Sequence, residues 1–308
     1  MRRPHASGAA ACVTAMTILG GSVAVSRSLL DYPVLTGQAL RYAVAAVVLA
    51  VLVRPGARPD RRDVARLAAL AATGLVGFNL CLLDALRHAD AAVVGTIVGC
   101  SPLVLTVAGP LSRRERISRR LVVASSVVVV GAALVEGAGQ ATGRGLLSAV
   151  GTLAGEALFS LLAAPVLPRL GAVRVSAWTC ALAVPMLAGA AVVAREHPRL
   201  PTSTELAALG YLALVLTVGA FLLWYAGLRR LGVARAGLFA GVLPVASLAA
   251  QALLDRRSPA PGQAFGVLVV AVGLTISMIL KDPGRYDPAD PSGSSEAVGA
   301  SARRTASA

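Results

Sequence analysis

The chain has 308 residues, of which 56% are hydrophobic and only 14% are charged. Soluble domains carry about 25% charged residues, so this composition excludes an ordinary soluble protein. The net charge of +14 does not indicate nucleic-acid binding, because the arginines lie in short segments between apolar runs rather than on one polar face. We therefore predict an all-α membrane protein that is surrounded by the lipid bilayer.

Ten apolar runs follow one another after a basic head at residues 1–9. Each run has about 17 to 22 residues, which is enough to cross a hydrocarbon layer about 30 Å thick. Residues 281–308 are rich in Pro, Gly, Ser and Asp, so we expect a disordered cytoplasmic tail. The sequence thus predicts ten transmembrane helices, at 10–30, 34–53, 64–84, 89–111, 119–137, 145–165, 175–194, 205–226, 233–254 and 262–280.

An internal repeat divides these helices into two sets of five. Five residues of the first set return in the second at one offset of 142 residues, and Val130-Gly131 returns as Val272-Gly273 at the same offset. This register predicts two copies of one unit, at 10–137 and 145–280, joined by an outside linker at 138–144. An odd number of helices per copy gives the copies opposite orientations, an arrangement typical of secondary transporters. The repeated residues are Leu86, Arg87, Gly95, Gly99 and Pro102, which return as Leu228, Arg229, Gly237, Gly241 and Pro244.

The distribution of arginine predicts the orientation. Most of the 29 Lys and Arg residues lie in the head, in alternate loops and in the tail. Cytoplasmic loops carry an excess of Lys and Arg, so both termini are predicted to be cytoplasmic.

Several short motifs resemble the EamA-type proteins of the drug/metabolite transporter superfamily. They are Leu40-Arg41-Tyr42 in the second span, the run 85–89 leading into Pro102, and Glu115-Arg116-Ile117-Ser118 before the fifth span. The resemblance covers about residues 10–280. It implies ten helices in two inverted five-helix repeats, and a bacterial inner-membrane exporter of amino acids, metabolites or drugs.

Glu156 is the clearest candidate for transport chemistry, because it is an acid well inside the sixth predicted span. Ser148, Thr152 and Ser160 recur with it at every fourth residue and therefore share its helix face. An acid at this depth is costly and usually faces a cavity or a partner. We hypothesise that Glu156 exchanges a proton for substrate or binds a cationic group. The alternative is a protonated acid that serves packing alone.

Arg41 is the second candidate, with Gln38 and Tyr42 on the same helix face. A guanidinium presents paired donors to a carboxylate, so Arg41 is suited to bind an acidic substrate group. Alternatively, its long side chain extends to the membrane surface. Asn79 in the third span is a weaker candidate, which contacts either substrate or a neighbouring helix.

Other classes of function lack their residues. Lys281, the only lysine, stands in the tail, so the chain has no phosphate-binding loop for ATP-driven pumping. It has no H-E-x-x-H motif and no paired metal-ligand cysteines, and we predict no catalytic residues, cofactor or metal. The sequence predicts a secondary transporter of a small molecule, with protons as a candidate coupling ion. A non-transporting membrane scaffold or sensor is the alternative.

Overall fold

The computed structural model describes residues 2–256 and 258–279, so the tail predicted at 281–308 lies outside the described residues. Within these ranges the chain is helical, and its one isolated β-bridge joins two loops. Pieces of one span are numbered here as one helix. The helices are α1 Arg2–Ser26, α2 Val34–Leu52, α3 Arg61–His88, α4 Ala91–Ser112, α5 Arg119–Glu136, α6 Gly143–Ala163, α7 Leu167–Val193, α8 Ser203–Leu231, α9 233–255 and α10 Pro261–Ile279.

The protein is an all-α membrane protein, as the sequence predicts. Nine helices of the described ranges are long and apolar enough to cross a membrane. The other helix, α5, has 18 residues that include Arg119, Arg120 and Glu136 at its two ends. The count of ten spans is therefore approximate, because α5 is a less apolar span than the other nine.

Predicted and observed helices differ mainly at their ends. α1 begins at Arg2, so it includes most of the predicted head. α3 begins before its predicted span because Asp60 and Asp63 form a capping box there, in which each side chain accepts the other's backbone N–H. α7 also begins early, but Gly171 at φ 75° separates its first turn from the long remainder.

The two repeats share local irregularities as well as helices. A π-helical segment at Ala71–Gly77 in α3 corresponds to another at Leu212–Ala220 in α8. α4 is interrupted by a turn at residues 99–100, and α9 is interrupted by a 3₁₀ turn at Phe239–Gly241. These features recur within about two residues of the repeat offset, so the copies share the same kinds of irregularity at corresponding places.

The first helix of each repeat packs into the opposite repeat. α1 packs against α8 and α9, while α6 packs against α3 and α4. The equivalent helices α2 and α7 pack against one another. The part of α4 after its interruption likewise packs against the part of α9 before its interruption. The chain is therefore two inverted five-helix repeats that exchange their first helices.

Equivalent glycines bring α5 and α10 close together. A Cβ atom placed on Gly131 of α5 would lie 2.7 Å from the backbone nitrogen of Val270. In the reciprocal contact, a Cβ atom on Gly273 of α10 would lie 2.7 Å from Cγ2 of Val128. Small residues let membrane helices approach to this distance, so only glycine fits at these two positions.

One end of the bundle carries the loops after α1, α3, α5, α7 and α9, and we name it the outer end after the predicted orientation. Here the Glu196 carboxylate accepts hydrogen bonds from the backbone N–H groups of Leu35 at 2.9 Å and Thr36 at 2.8 Å. Arg199 pairs with Glu205, which also caps α8. We name these contacts the outer clasp. Its Glu196 hydrogen bonds join the second repeat to the start of α2, whereas Arg199 and Glu205 both belong to the second repeat.

The opposite, inner end carries an equivalent set of contacts. Arg174 donates hydrogen bonds to the backbone carbonyls of Arg54 at 2.6 Å and Ala57 at 2.7 Å. Arg169 pairs with Asp63, the residue that caps α3 as Glu205 caps α8. These contacts form the inner clasp, which joins the start of α7 to the loop before α3. Each clasp joins the two repeats at one end of the bundle.

Candidate functional site

Glu156 belongs to α6, and its side chain lies inside the bundle against α4. It is 13 residues from the outer end of α6, or about 20 Å at 1.5 Å per residue. Its Oε1 atom accepts a hydrogen bond from the Ser101 hydroxyl at 3.0 Å. Its Oε2 atom is buried and has no hydrogen-bond partner among the described residues. One oxygen of this carboxyl group is therefore held, and the other is available.

The partner of Glu156 stands at an interruption of a helix. Ser101 is the first residue of the second piece of α4, directly after the turn at Gly99 and Cys100. The beginning of a helix carries partial positive charge from its free N–H groups, which favours a nearby anion. Discontinuous helices supply this environment to charged groups in transporters.

The other residues of the predicted stripe on α6 contact different neighbours. The Ser148 hydroxyl donates to Asp84 at 2.6 Å near the outer end. Thr152 is fully buried and donates to the Ser148 carbonyl one turn earlier at 2.9 Å. Ser160 is buried and accepts a hydrogen bond from the indole N–H of Trp224 at 3.1 Å. The stripe therefore faces protein along its length, and Glu156 is its member with an unpartnered oxygen.

Three aromatic rings pack together one turn from Glu156. Phe159 of α6 lies 4.9 Å from Phe221 and 5.2 Å from Tyr225 of α8, measured between ring centroids. The Tyr225 side chain is fully buried, and its hydroxyl has no hydrogen-bond partner among the described residues. We name these residues the aromatic trio. It forms an apolar wall beside the acid, with an unpartnered hydroxyl at one edge.

Arg41 turns into the bundle rather than toward its end. Its Nε atom donates to the Thr217 hydroxyl at 2.7 Å, and its Nη1 atom donates to Gln38 Oε1 at 3.1 Å. The guanidinium carbon lies 4.9 Å from the centroid of the Tyr42 ring, within the range of a cation–π contact. Asn79 of α3 donates to the Tyr42 hydroxyl at 3.4 Å and to a carbonyl of its own helix. The structure thus brings these predicted residues of α2 and α3 together, and Thr217 of α8 joins them.

Arg41 and Glu156 occupy different depths. Arg41 is seven residues from the outer end of α2, or about 10 Å, whereas Glu156 is about 20 Å from the outer end of α6. No ion pair joins the two side chains in the described part of the chain. Phe221 lies one turn after Thr217 on α8 and contacts Phe159 of α6, so the aromatic trio connects the helix that holds Arg41 to the helix that carries Glu156.

A comparison of the sequence with known families decides what kind of protein carries this site. The profile of the EamA-like transporter family matches residues 6–137 and again residues 143–279. The chain belongs to the EamA-like transporter family. It is a membrane transporter for a small molecule, built from two copies of the family's repeat.

Individual relatives of this EamA-like transporter agree with that assignment. The chain is 26% identical over 291 residues to the uncharacterized transporter YetK of Bacillus subtilis (strain 168). The alignment covers 90% of this chain and 88% of that protein. A solved crystal structure of another protein superposes on this one with a TM-score of 0.75 and 20% sequence identity. The superposition covers 89% of this chain and 96% of the other chain. At that identity the second likeness shows the fold alone.

Sequence reasoning did not find several residues of this EamA-like site. Ser101 and Thr217 contact Glu156 and Arg41, respectively, from other helices, and periodicity within one helix does not show such contacts. One signal was present for each, because Ser101 precedes the repeated Pro102 and Thr217 is the single polar residue of its π-helical segment. No group of three His, Cys, Asp or Glu side chains placed to hold a metal ion is found among the residues described.

Proposed function

We propose that this EamA-like transporter exports a small molecule in exchange for protons, by alternating access between the repeats at 10–137 and 145–280. The observation that best supports this proposal is the Glu156 carboxyl group, which Ser101 holds inside the bundle with one oxygen unpartnered. Inverted-repeat transporters bind substrate and coupling ion near the midplane, between the repeats. We place the protein in the bacterial inner membrane with both termini in the cytoplasm, because the arginine-rich loops lie at the inner end.

A single buried carboxyl group provides a simple means of coupling. Removing a charged carboxylate from water is costly unless a proton or a cation neutralises it. Ser101 occupies only one oxygen, so the other oxygen of Glu156 accepts either a proton or an ammonium group of the substrate. Because both compete for one oxygen, the proton leaves when substrate binds and returns when substrate departs.

The surroundings of Glu156 favour an organic amine with an apolar body. The aromatic trio provides an apolar wall one turn away, and Trp224 extends it on the side of Ser160. Arg41 is suited to a carboxylate, with a guanidinium that is already oriented by Thr217 and Gln38. We therefore propose amines and amino acids as substrates. A single amino acid would meet the two charges in turn, because they lie at different depths.

Alternating access also requires that the two ends open in turn. The outer clasp joins Glu196 to the start of α2, and the inner clasp joins Arg169 and Arg174 to the loop before α3. Both sets of contacts are closed in this structure. We propose that transport releases one clasp at a time while α2 and α7 keep their mutual packing.

The test is transport by the purified full-length protein in liposomes, with a mixed pool of amino acids and cationic drugs. Wild type and Glu156→Gln are compared with and without a proton gradient. Glutamine keeps the size of the side chain and removes its titration, so we expect loss of gradient-driven movement without loss of folding. Equal gradient-driven movement by both proteins would refute the role of Glu156.

A matched control makes the same chemical change elsewhere. Glu115 is exposed in the loop before α5, so Glu115→Gln removes an acid at the surface without changing the interior. We expect this variant to transport like wild type. The unfolding midpoint of each variant in detergent separates loss of coupling from loss of structure.

A further inference from the structure

A second acid inside the bundle has no part in the site described above. Glu136 is the last residue of α5, and its carboxyl group lies directly against Gly95 of α4, where a Cβ atom would overlap it. No hydrogen bond or ion pair to this carboxyl group is found in the described part of the chain. Two other acids at the outer end are bound, because Asp84 pairs with Arg144 and Glu205 pairs with Arg199. Glu136 is therefore an available proton acceptor at the entrance to the bundle.

The residues of α4 connect Glu136 to Glu156. Gly95 is four residues from the outer end of α4 and Ser101 is ten, which are depths of about 6 Å and 15 Å. Between them, the Thr96 hydroxyl is buried and has no hydrogen-bond partner among the described residues. The unpartnered oxygen of Glu156 follows at the deeper end. An available acid, an available hydroxyl and a second available acid thus lie beside α4, in that order from the outer end inward.

Unpartnered buried polar atoms indicate water. Most buried polar side-chain atoms in proteins have a hydrogen-bond partner, and ordered water supplies it where protein does not. Gly95 removes the side chain that would otherwise separate Glu136 from α4, and the turn at 99–100 interrupts the regular helix above Ser101. Water that bridges Thr96 to both acids would satisfy all three groups. Chains of acids and water are the usual proton relays of membrane proteins.

We infer that Glu136 is the outer proton acceptor of the transport cycle and passes its proton along α4, past Thr96, to Glu156. This inference rests on the proposed exchange of substrate for protons. The Glu136 carboxylate takes a proton from external water, then gives it to bridging water as that water protonates the Glu156 carboxylate. Glu136 returns to its charged form, Glu156 becomes protonated, and the bridging water is unchanged, so one proton has moved from the outside to Glu156.

Several charged and titratable groups near the start of α4 are already engaged. Asp84 accepts from Arg144 and Ser148, and the His88 ring lies 2.8 Å from the Asp84 carbonyl oxygen. Asp90, at the start of α4, accepts the backbone N–H of Gln140 at 2.8 Å. On α10, the neighbouring side chain is the uncharged Gln263, which donates to the Val135 carbonyl. These groups hold the loops together, and none of them is hydrogen-bonded to Glu136.

The test separates proton delivery from substrate movement in the full-length protein in liposomes. One assay follows substrate driven by a proton gradient, with a pH-sensitive dye inside the vesicle. The other follows exchange of labelled for unlabelled substrate at equal pH on both sides, which needs no net proton entry. We expect Glu136→Gln to slow gradient-driven movement at least about tenfold, because loss of a positioned proton-transfer group typically costs about a hundredfold or more. Exchange should stay within about twofold of wild type.

Two further variants examine the route. Thr96→Val keeps the shape of the side chain but removes the hydroxyl, and should slow gradient-driven movement alone. Glu136→Asp keeps the titrating group and should restore part of the gradient-driven rate. A gradient-driven rate of Glu136→Gln equal to wild type would overturn the inference, and so would equal loss of both activities. Failure of the proposed function is distinct, because then Glu156→Gln itself would keep gradient-driven transport.

Discussion

The close contact between α5 and α10 gives a quantitative prediction for Gly131→Ala. The new Cβ atom would lie 2.7 Å from the Val270 nitrogen and 2.9 Å from the Gly266 carbonyl oxygen. Both atoms belong to the backbone of α10, so rotation of a side chain does not relieve the overlap and the helices must separate. Overpacking of this kind costs about 1–3 kcal/mol. The gain in helix propensity from Gly to Ala, about 0.5–1 kcal/mol, offsets only part of it.

Gly189→Ala is the matched control, because it makes the same change in α7 where nothing lies within 4 Å of the new Cβ atom. The difference between the two variants isolates the packing cost. For a protein of this size, about 1 kcal/mol shifts the unfolding midpoint by about 2–4 °C. We therefore expect Gly131→Ala to unfold at least about 2 °C below Gly189→Ala when heated in detergent.

The reciprocal glycine supplies a second check on the same contact. Gly273→Ala places its Cβ atom 2.7 Å from Val128 Cγ2 and 3.0 Å from the Val128 nitrogen. It should therefore lower the midpoint by a similar amount. If Gly131→Ala proves as stable as Gly189→Ala, the described packing of α5 on α10 is wrong.

Three further predictions concern the site and the orientation. Arg41→Lys loses the Nε donor to Thr217 and the paired geometry of guanidinium, so transport of acidic or zwitterionic substrates should fall while transport of simple amines persists, as competition uptake would show. Trp224→Phe removes the hydrogen bond to Ser160 and should lower stability by about 1 kcal/mol, measured as a lower unfolding midpoint. A cysteine at the exposed Ala141 should react with a membrane-impermeant maleimide in intact cells, and labelling only after lysis would reverse the assigned orientation.

The sequence was sufficient for the fold because the relevant signals are local and repeated. Apolar length predicts the helices, and the offset that relates Gly131 to Gly273 predicts the inverted repeat. The predicted ends of the helices are less accurate than their number and order, because side chains such as Asp60 and Asp63 extend α3 by capping it. The exchange of α1 and α6 between repeats was not predicted, since apolar periodicity does not identify the neighbour of a helix.

The candidate site was predictable only in part, for a related reason. Spacing along one helix grouped Arg41 with Gln38, which it does contact, because both belong to α2. The same reasoning placed Glu156 on a polar stripe, but the acid's actual partner is Ser101 on another helix. The sequence does not single out Glu136, because its position at the end of α5 resembles that of an ordinary surface acid. Its contact with Gly95 is visible only in three dimensions.

The equivalence of the outer and inner clasps has a consequence for the resting balance between the two open forms. If the repeats were identical, the outward-open and inward-open forms would have equal free energies, and neither form would predominate. Any preference must then come from residues that differ between the copies, such as Glu205 in place of Asp63. A difference of only 1.4 kcal/mol between the forms makes one tenfold more populated. Substitutions at such unmatched positions would therefore tune the resting direction of the protein without altering what it binds.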